Sequence, residues 1–460
     1  MYVRSYFIFL LAWVIPTTLV ASGTVGEYHQ VLISNGSLWS WGINNTGQLG
    51  LGDVSPRQSP TQIGVDSDWA DVVAGTHHNL AIKEDGRVFV WGSNEYGALG
   101  ANLGNQVNTP TEISLPEAIE SITAGDHHSF LVATSGNIYA CGRNQQGQLG
   151  LGNLVNTPVF SLVGLPEAVV KASAGSDYSI ALGSSGTVYV WGSNGYGQLG
   201  LPGETQAQAP MALPSNQVWT DISAGGFQAM AIDKNNDLYH WGKDVGTLSG
   251  NLTSRTPNKI MGGVILTSAG REHLQVLSSS GNLWSSGSDK VGQLGRSDPD
   301  LALASLSGNA WFHSLSRAYH SLAIKTNGQV EMWGKTPWTA QAQHDVPTTV
   351  AFNLPSAIRI RPITGLSSGQ LAELNAGTTH TGGSVWNLVW GPSTGGSFSS
   401  NTSLQSNFST TLPGIYRLEL RAHDGSAKKS LLFHVEPAVF GSMIWGQNSW
   451  NRGREGSITH

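Results

Sequence analysis

Cysteine and charged residues are scarce in this 460-residue chain. Its one cysteine, Cys141, excludes an intramolecular disulfide and a thiolate zinc cluster. Asp, Glu, Lys and Arg make up only 12% of the residues and the formal net charge is -6, so the basic surface that binds a phosphate backbone is missing and we expect no nucleic-acid partner. Glycine and tryptophan, by contrast, are abundant, with 58 and 16 residues. A weakly charged, Gly-rich chain of 39% hydrophobic residues favours a folded all-β protein.

The N-terminus has the pattern of an export signal. Arg4 supplies a positive charge, an apolar run covers residues 6–15, and the small residues 21–23 follow as a cleavage zone. An uncleaved membrane anchor is the alternative, but the run is short for a bilayer span. We predict that residues 1–23 are a signal peptide and that the mature protein has no stable membrane span. It is then secreted or at the cell surface, or periplasmic in a Gram-negative bacterium.

Seven copies of one unit follow the signal. Their defining position is the Trp of a Trp-Gly pair, at Trp41, Trp91, Trp191, Trp241 and Trp333, with Cys141 and Ser286 at the matching places. The copies are 45 to 50 residues apart, and complete ones continue as Gly-x-Asn-x-x-Gly-Gln-Leu-Gly, as in Gly42 to Gly50. An Ala-Gly-x-x-His motif, such as Ala74 to His78, precedes the Trp by about 13 residues. Within a copy, short apolar segments flank turns such as Glu84-Asp85-Gly86, which predicts hairpins and hence propeller blades.

The ends of the repeat region predict a closed ring. The seventh copy, residues 328–363, has 36 residues and lacks the Ala-Gly-x-x-His arm, whereas residues 24–36 carry one and complete a unit of 49. We therefore predict an all-β fold in which residues 24–363 form a seven-bladed propeller whose N- and C-terminal strands share the last blade. An open solenoid, the alternative, would leave sheet edges exposed.

The recurring Trp-Gly-x-Asn-x-x-Gly-Gln-Leu-Gly and Ala-Gly-x-x-His motifs resemble the regulator of chromosome condensation repeat family, although copies five and seven depart from the pattern. The resemblance implies a seven-bladed propeller. In that family, loops of the propeller face protein partners in a nuclear exchange factor and in a secreted bacterial β-lactamase inhibitor. The nuclear member exchanges guanine nucleotides and carries an inserted β-wing, for which this chain has no matching insertion.

A second module is expected at residues 364–437, where the composition shifts to Ser, Thr and Asn. Alternating segments at 385–390, 414–422 and 430–435 predict strands of a small β-sandwich. The pattern Gly-x-Tyr-x-Leu-x-Leu at 414–420 resembles polycystic-kidney-disease or bacterial Ig-like modules. Residues 438–460 form a tail of unknown structure.

Signals for catalysis, metals and cofactors are weak, so we predict no enzyme, no cofactor and no metal. The repeated histidines are expected to be structural, and they are His29, His78, His128, His273 and His320. Gly365 to Gly369 matches Gly-x-Ser-x-Gly but lacks the required strand and helix. A hydrolase or lyase in the funnel would need clustered carboxylates at the axis. Calcium binding by Asp66 and Asp68, or by Asp298 and Asp300, stays open.

A binding face is predicted where the repeats differ from one another. In Ala-Gly-x-x-His the two x positions vary, and a ring would gather them at one end of its axis. The predicted binding residues are Tyr28, His77, Asp126, His127, Asp177, Phe227, Arg271, Glu272 and Tyr319. Aromatic and charged residues, without lysine, are typical of interface centres. The plain alternative is a set of ordinary exposed loop residues.

These observations predict a secreted, non-enzymatic, monomeric recognition protein that binds a protein partner through this face. Two alternatives stay open. One is an exported guanine-nucleotide exchange factor-like effector acting on a small GTPase. The other is a cell-surface or polysaccharide-binding adhesin-like protein, with Trp386 and Trp390 as stacking candidates.

Overall fold

The computed structural model describes residues 23–34, 36–243, 253–296, 302–306, 311–317, 319–325, 330–335 and 343–349, together with short strands between 372 and 459. The predicted signal peptide lies outside these residues, except for Gly23, which belongs to the first strand. Among the described residues, no helix has the length and apolar character needed to cross a membrane. The Gly-x-Ser-x-Gly segment and the pair Asp298 and Asp300 lie outside the described residues.

Seven antiparallel sheets of four strands follow one another along residues 23–349, and in each the strands pair in chain order. The first four sheets consist of β1 (Gly23–Val25), β2 (His29–Ser34), β3 (Ser37–Gly42), β4 (Arg57–Ile63), β5 (Trp69–Ala74), β6 (His78–Lys83), β7 (Val88–Ser93), β8 (Gln106–Ile113), β9 (Ile119–Ala124), β10 (His128–Ala133), β11 (Ile138–Gly142), β12 (Thr157–Val163), β13 (Val169–Ala174), β14 (Tyr178–Gly183), β15 (Val188–Ser193) and β16 (Gln206–Ala212). The last three consist of β17 (Trp219–Ala224), β18 (Gln228–Asp233), β19 (Leu238–Lys243), β20 (Thr253–Met261), β21 (Val264–Ala269), β22 (His273–Ser278), β23 (Leu283–Gly287), β24 (Ala304–Ser305), β25 (Trp311–Arg317), β26 (His320–Lys325), β27 (Val330–Lys335) and β28 (Gln343–Thr349). A single 3-10 turn, Glu95–Gly97, is the helical element of this region within the described residues.

The seven sheets close into a ring. The first strand of each sheet contacts the first strands of both neighbouring sheets, and β25 of the seventh contacts β1 of the first. Each sheet is therefore a blade, with its first strand innermost and its fourth strand at the rim. The predicted seven-bladed all-β propeller is confirmed.

The prediction that the two chain ends share the last blade is wrong. Strands β1 and β2 lie in the same sheet as β3, with Gly23 opposite Leu32 and His29 opposite Gly42. Blade seven takes all four of its strands from residues 311–349. The cause is the position of the blade boundary, which falls between the rim strand and the next innermost strand rather than at the Trp-Gly pair. The ring closes by packing of blade seven against blade one.

The hairpin turns have the predicted glycine geometry. Between β6 and β7, Gly86 has a φ of 87°, and its N–H donates to the Lys83 carbonyl at 2.9 Å. This left-handed conformation is accessible to glycine without steric cost. In blade five the equivalent residue is Asn236, with a φ of 62°, and asparagine is among the residues that tolerate this region.

The repeated tryptophans join neighbouring blades. The indole Nε1 of Trp91 donates to the carbonyl of Gln48, at 3.0 Å, and Trp191 donates to Gln148 at 2.8 Å. The acceptor belongs to the Gly-Gln-Leu-Gly segment of the preceding blade, and Trp241 and Trp333 repeat the contact. A buried indole N–H needs such a partner. The Trp-Gly pair of one blade and the Gly-Gln-Leu-Gly segment of the preceding blade thus contact each other at each of these junctions.

Blade three departs from this arrangement. Cys141, at the tryptophan position, is fully buried, and its Sγ lies 3.5 Å from the Ala98 carbonyl. The ring of Phe160 from the rim strand occupies the adjacent space: a methyl group on Gly100 would lie 2.2 Å from its Cε2. The corresponding methyl group on Gly150 would lie 2.9 Å from Nε1 of Trp191. Phe160 therefore fills the volume that the indole fills elsewhere.

The C-terminal region contains further strands. They are β29 (Ala372–Asn375), β30 (Ser384–Trp390), β31 (Ser397–Phe398), β32 (Gln405–Ser409), β33 (Gly414–Ala422), β34 (Lys428–Val435), β35 (Ile444–Trp445) and β36 (Ile458–Thr459). They form three sheets, with orders β29-β32-β31, β30-β33-β34 and β35-β36. The three strands expected from the sequence are present, and the β-sandwich itself stays a prediction.

Candidate functional site

In blades one to six, the residue that begins the second strand reaches across to the next blade. His78 Nε2 lies 2.9 Å from Ser129 Oγ, and His128 Nε2 lies 3.0 Å from Ser179 Oγ. The His29–Asn79 and His273–Ser321 pairs repeat this contact at 2.8 and 2.9 Å, and Tyr178 and Gln228 bond across their junctions to carbonyl oxygens. These side chains therefore connect one blade to another.

These histidines have a structural role. Ser129 uses its one hydroxyl hydrogen on the Ala98 carbonyl at 2.8 Å, so His78 Nε2 must be the donor to Ser129. Burial lowers the pKa of His273 to about 4 and of His320 to about 3, which keeps both rings neutral. Among the described residues, no group of three or more His, Cys, Asp or Glu side chains is arranged to hold a metal ion. Asp66 and Asp68, a calcium candidate, instead contact the Lys83 ammonium at 2.7 and 2.8 Å.

Close packing against the histidine requires glycine at the second position of Ala-Gly-x-x-His. A methyl group on Gly75 would lie 2.0 Å from Cε1 of His78, because the imidazole packs against the glycine. Gly125 and His128 repeat this contact at 2.2 Å. The turn between these two fixed residues therefore projects the two variable residues from one end of the ring.

The first variable residues of six of the seven motifs line a cavity on the propeller axis. The lining includes Glu27, Thr76, Asp126, Ser176, Gly226 and Arg271, which come from six different blades. The cavity volume of about 30 Å³ has room for a water molecule or two but not for a sugar or a peptide. The Arg271 guanidinium lies 3.8 Å from the Glu27 carboxylate, so the lining contains charges of both signs.

The second variable residue of each motif surrounds that cavity. All seven of these residues are half-buried, and they are Tyr28, His77, His127, Asp177, Phe227, Glu272 and Tyr319. The closed ring thus brings all the predicted binding residues to one end of the axis. We call this end of the propeller, formed by the variable Ala-Gly-x-x-His residues and the loop residues paired with them, the variable face.

The loop after the Trp-Gly position of a copy contributes residues that were not predicted from the sequence. The backbone N–H that follows the Gly donates to the carbonyl of the second variable residue, as from Arg143 to His127 at 2.9 Å and from Lys243 to Phe227 at 2.8 Å. Two tyrosines from these loops add aromatic surface: Tyr96 packs against His127 with ring centres 5.5 Å apart, and Tyr196 packs against Phe227 at 5.0 Å. These loop positions vary between copies, and that variation was the available signal.

Lysine is present on the variable face, although the Ala-Gly-x-x-His positions lack it. The Lys243 ammonium lies 5.4 Å from the ring centre of Tyr196 and donates to Glu272 at 2.6 Å. Lys335 lies 5.6 Å from the ring centre of Tyr28. Cations over aromatic rings are stabilised by the ring quadrupole, so these lysines hold the aromatic residues in place.

Burial and neighbouring charges adjust the acids and bases of the variable face. Burial raises the pKa of Asp177, although the Arg143 guanidinium lies 3.1 Å away. Burial lowers the pKa of His77, so its ring is neutral at pH 7 and presents an aromatic surface. The hydrogen bond from Lys243 lowers the pKa of Glu272. The face therefore combines aromatic rings with ion pairs that are already formed.

Comparison with known proteins agrees with the repeat assignment. The model of the Regulator of chromosome condensation (RCC1) repeat matches residues 35–82, 85–132, 135–182 and 185–232, and a second model of this repeat matches residues 69–98, 119–148 and 169–198. Mouse Protein RCC2 is 39% identical over 67 residues, which cover 14% of this chain and 13% of the mouse protein. The Danio rerio Protein RCC2 homolog is 35% identical over 72 residues, or 15% of this chain and 14% of the fish protein.

Solved structures share the fold at low sequence identity. Human WBSCR16 has a TM-score of 0.61 and 20% identity, with 67% of this chain and 87% of that chain covered. Prp20p from Saccharomyces cerevisiae has a TM-score of 0.63 and 21% identity, covering 72% and 88%, and its crystal structure was described together with its binding properties to Gsp1p and histones. Residues 35–232 therefore match the regulator of chromosome condensation repeat, and residues 23–349 fold into a seven-bladed β-propeller.

Proposed function

We propose that this protein is a secreted, non-enzymatic recognition protein that binds a protein partner through the variable face. The observation that carries the proposal is the collection of half-buried aromatic residues, among them Tyr28, Phe227 and Tyr319, at one end of the ring beside cations. Interface centres concentrate binding energy in aromatic and arginine side chains. The protein-binding properties described for Prp20p support the same use of this fold.

Truncation of the aromatic residues is expected to abolish partner binding and to leave the fold intact. Each good anchor contributes on the order of 2 kcal/mol or more to binding, so the triple variant Tyr28→Ala, Phe227→Ala, Tyr319→Ala should lose most of its affinity. The partner is found by cross-linking and capture from secreted and cell-surface fractions with the full mature chain. Affinity is then measured by calorimetry, and melting by circular dichroism.

A matched control lies on the rim of blade three, where Leu154, Val155 and Leu162 are exposed at 41%, 69% and 56%. Their triple alanine variant should bind like the wild type. Equal affinity of both triple variants would place the binding site elsewhere. Stimulated release of labelled guanine nucleotide from a small GTPase would contradict the non-enzymatic part of the proposal.

Export is expected to remove the N-terminal segment. The small residues 21–23 follow the apolar run, so cleavage should fall between about residues 21 and 23. Cleavage before Gly23 keeps β1 complete, because Gly23 pairs with Leu32. N-terminal sequencing of the protein recovered from culture medium or periplasm checks this, and a chain that begins at Met1 would contradict it.

A further inference from the structure

Four cations of the variable face pack on aromatic rings. The Arg143 guanidinium lies 5.7 Å from the ring centre of Tyr96, and Lys243 lies between Tyr196 and Phe227 at 5.4 and 5.5 Å. At the junction of blades seven and one, the Lys335 ammonium lies 5.6 Å from the ring centre of Tyr28 and 6.0 Å from that of Tyr319. The Arg271 guanidinium lies 5.9 Å from the Tyr319 ring centre. Two cations therefore share one tyrosine at this junction.

Carboxylate partners are distributed unevenly among these cations. Arg143 contacts Asp177 at 3.1 Å, and Lys243 contacts Glu272 at 2.6 Å. Arg271 lies 3.8 Å from Glu27, which is too far for a hydrogen bond. Lys335 forms no ion pair with any carboxylate in the described part of the chain, where its side-chain contacts are the two tyrosine rings.

This difference makes the junction of blades seven and one the part of the face best suited to an anion. The half-buried Lys335 ammonium has lost part of its hydration to the rings of Tyr28 and Tyr319 and has no carboxylate partner among the described residues. Cation–π attraction replaces only part of that hydration. Arg271, which packs on the same Tyr319 ring, has five N–H donors, and the Glu27 carboxylate nearest to it lies beyond hydrogen-bond distance at 3.8 Å. Elsewhere on the face, Asp126 and Asp177 lie close enough for their negative charges to interact, which disfavours an anion there.

We propose that Lys335 and Arg271, held on the rings of Tyr28 and Tyr319, form a subsite for a carboxylate, and that the protein partner presents an acidic side chain to it. The inference rests on the proposed function, because it assigns the partner chemistry of the variable face. The tyrosine rings supply apolar area next to the charge, so the preferred segment carries an aromatic or aliphatic residue beside its Glu or Asp.

The test uses a short synthetic peptide of alternating glutamate and tyrosine and its counterpart with glutamine in place of glutamate. Binding of each fluorescein-labelled peptide to the full mature chain is followed by fluorescence anisotropy at low and at physiological salt. Lys335→Gln is compared with Lys259→Gln, which removes the same charge from an exposed lysine of the rim strand β20. Circular dichroism confirms that both variants melt like the wild type.

The glutamate peptide should bind the wild type more weakly as salt increases, and Lys335→Gln should weaken this binding about 10-fold while Lys259→Gln leaves it unchanged. Equal binding of the two peptides, no saturable binding of the glutamate peptide, or an unaffected Lys335→Gln variant would overturn the subsite. These outcomes are separate from those of the proposed function. A partner that loses affinity with the triple aromatic variant but not with Lys335→Gln would refute the carboxylate subsite alone.

Discussion

Deletion of residues 24–36 is expected to abolish cooperative folding of the propeller. The deleted segment contains all of β2, which pairs with β1 on one side and with β3 on the other. Its residues Val31, Leu32 and Ile33 are at most 4% exposed. Burial of three such side chains is worth roughly 5–9 kcal/mol. That amount is comparable with the whole free energy of unfolding of an ordinary domain, about 5–15 kcal/mol.

The same deletion would open the ring on both sides of blade one. It removes the His29–Asn79 hydrogen bond to blade two and most of the strand that contacts β25 of blade seven. The measurement is thermal unfolding followed by circular dichroism and by tryptophan fluorescence. Deletion of residues 364–460 is the control, and it should leave the propeller transition unchanged. A 24–36 deletion that unfolds in the wild-type transition would show that the ring does not depend on blade one.

The repeat length and the number of blades could be predicted from the sequence, but the residue at which each blade begins could not. A repeat of 45 to 50 residues, with Trp-Gly in five copies and Cys-Gly or Ser-Gly at the same place in the other two, gives seven blades wherever the copies are cut. Any cyclic shift of the unit matches the sequence equally well, so the arm at 24–36 could be assigned to the first blade or to the last. Strand pairing decides between them, since His29 lies opposite Gly42. Pairing of adjacent segments closes a shorter loop than pairing of the two chain ends, which makes it the default.

The sequence predicted which motif residues lie together at one end of the ring, but it did not predict the loop residues beside them; that the motif residues bind a partner stays a prediction. The variable face is formed by the variable residues of Ala-Gly-x-x-His and also by Arg143, Lys243 and Lys335, which belong to a different loop. Hairpin pairing could have predicted this: when His78 lies opposite Gly92, residue 93 must lie beside residue 77. The packing of the Lys335 ammonium on two tyrosine rings could not be predicted from the sequence. The two tyrosines come from blades seven and one, which meet only when the ring closes.

Blade three shows a compensation between two positions of one unit. Counted back from the buried residue that ends the rim segment, Phe160 stands where Pro110 stands in blade two and Pro210 in blade four. In those blades a tryptophan fills the junction, and in blade three Cys141 and Phe160 fill it together. Trp with Pro and Cys with Phe are therefore two ways to occupy the same volume.

Cys141→Trp is accordingly expected to destabilise the propeller by about 3 kcal/mol, because the new indole and the Phe160 ring would compete for one space. Phe160→Pro alone should cost a similar amount, since it leaves a cavity beside the small Cys141 side chain. The double variant restores the pairing of blades two and four, with the indole N–H able to donate to the Ala98 carbonyl as Trp91 does to Gln48. Urea unfolding of the four proteins gives the coupling energy between the two positions. We expect the double variant to be more stable than either single variant, whereas additive losses would show that Phe160 does not replace the tryptophan.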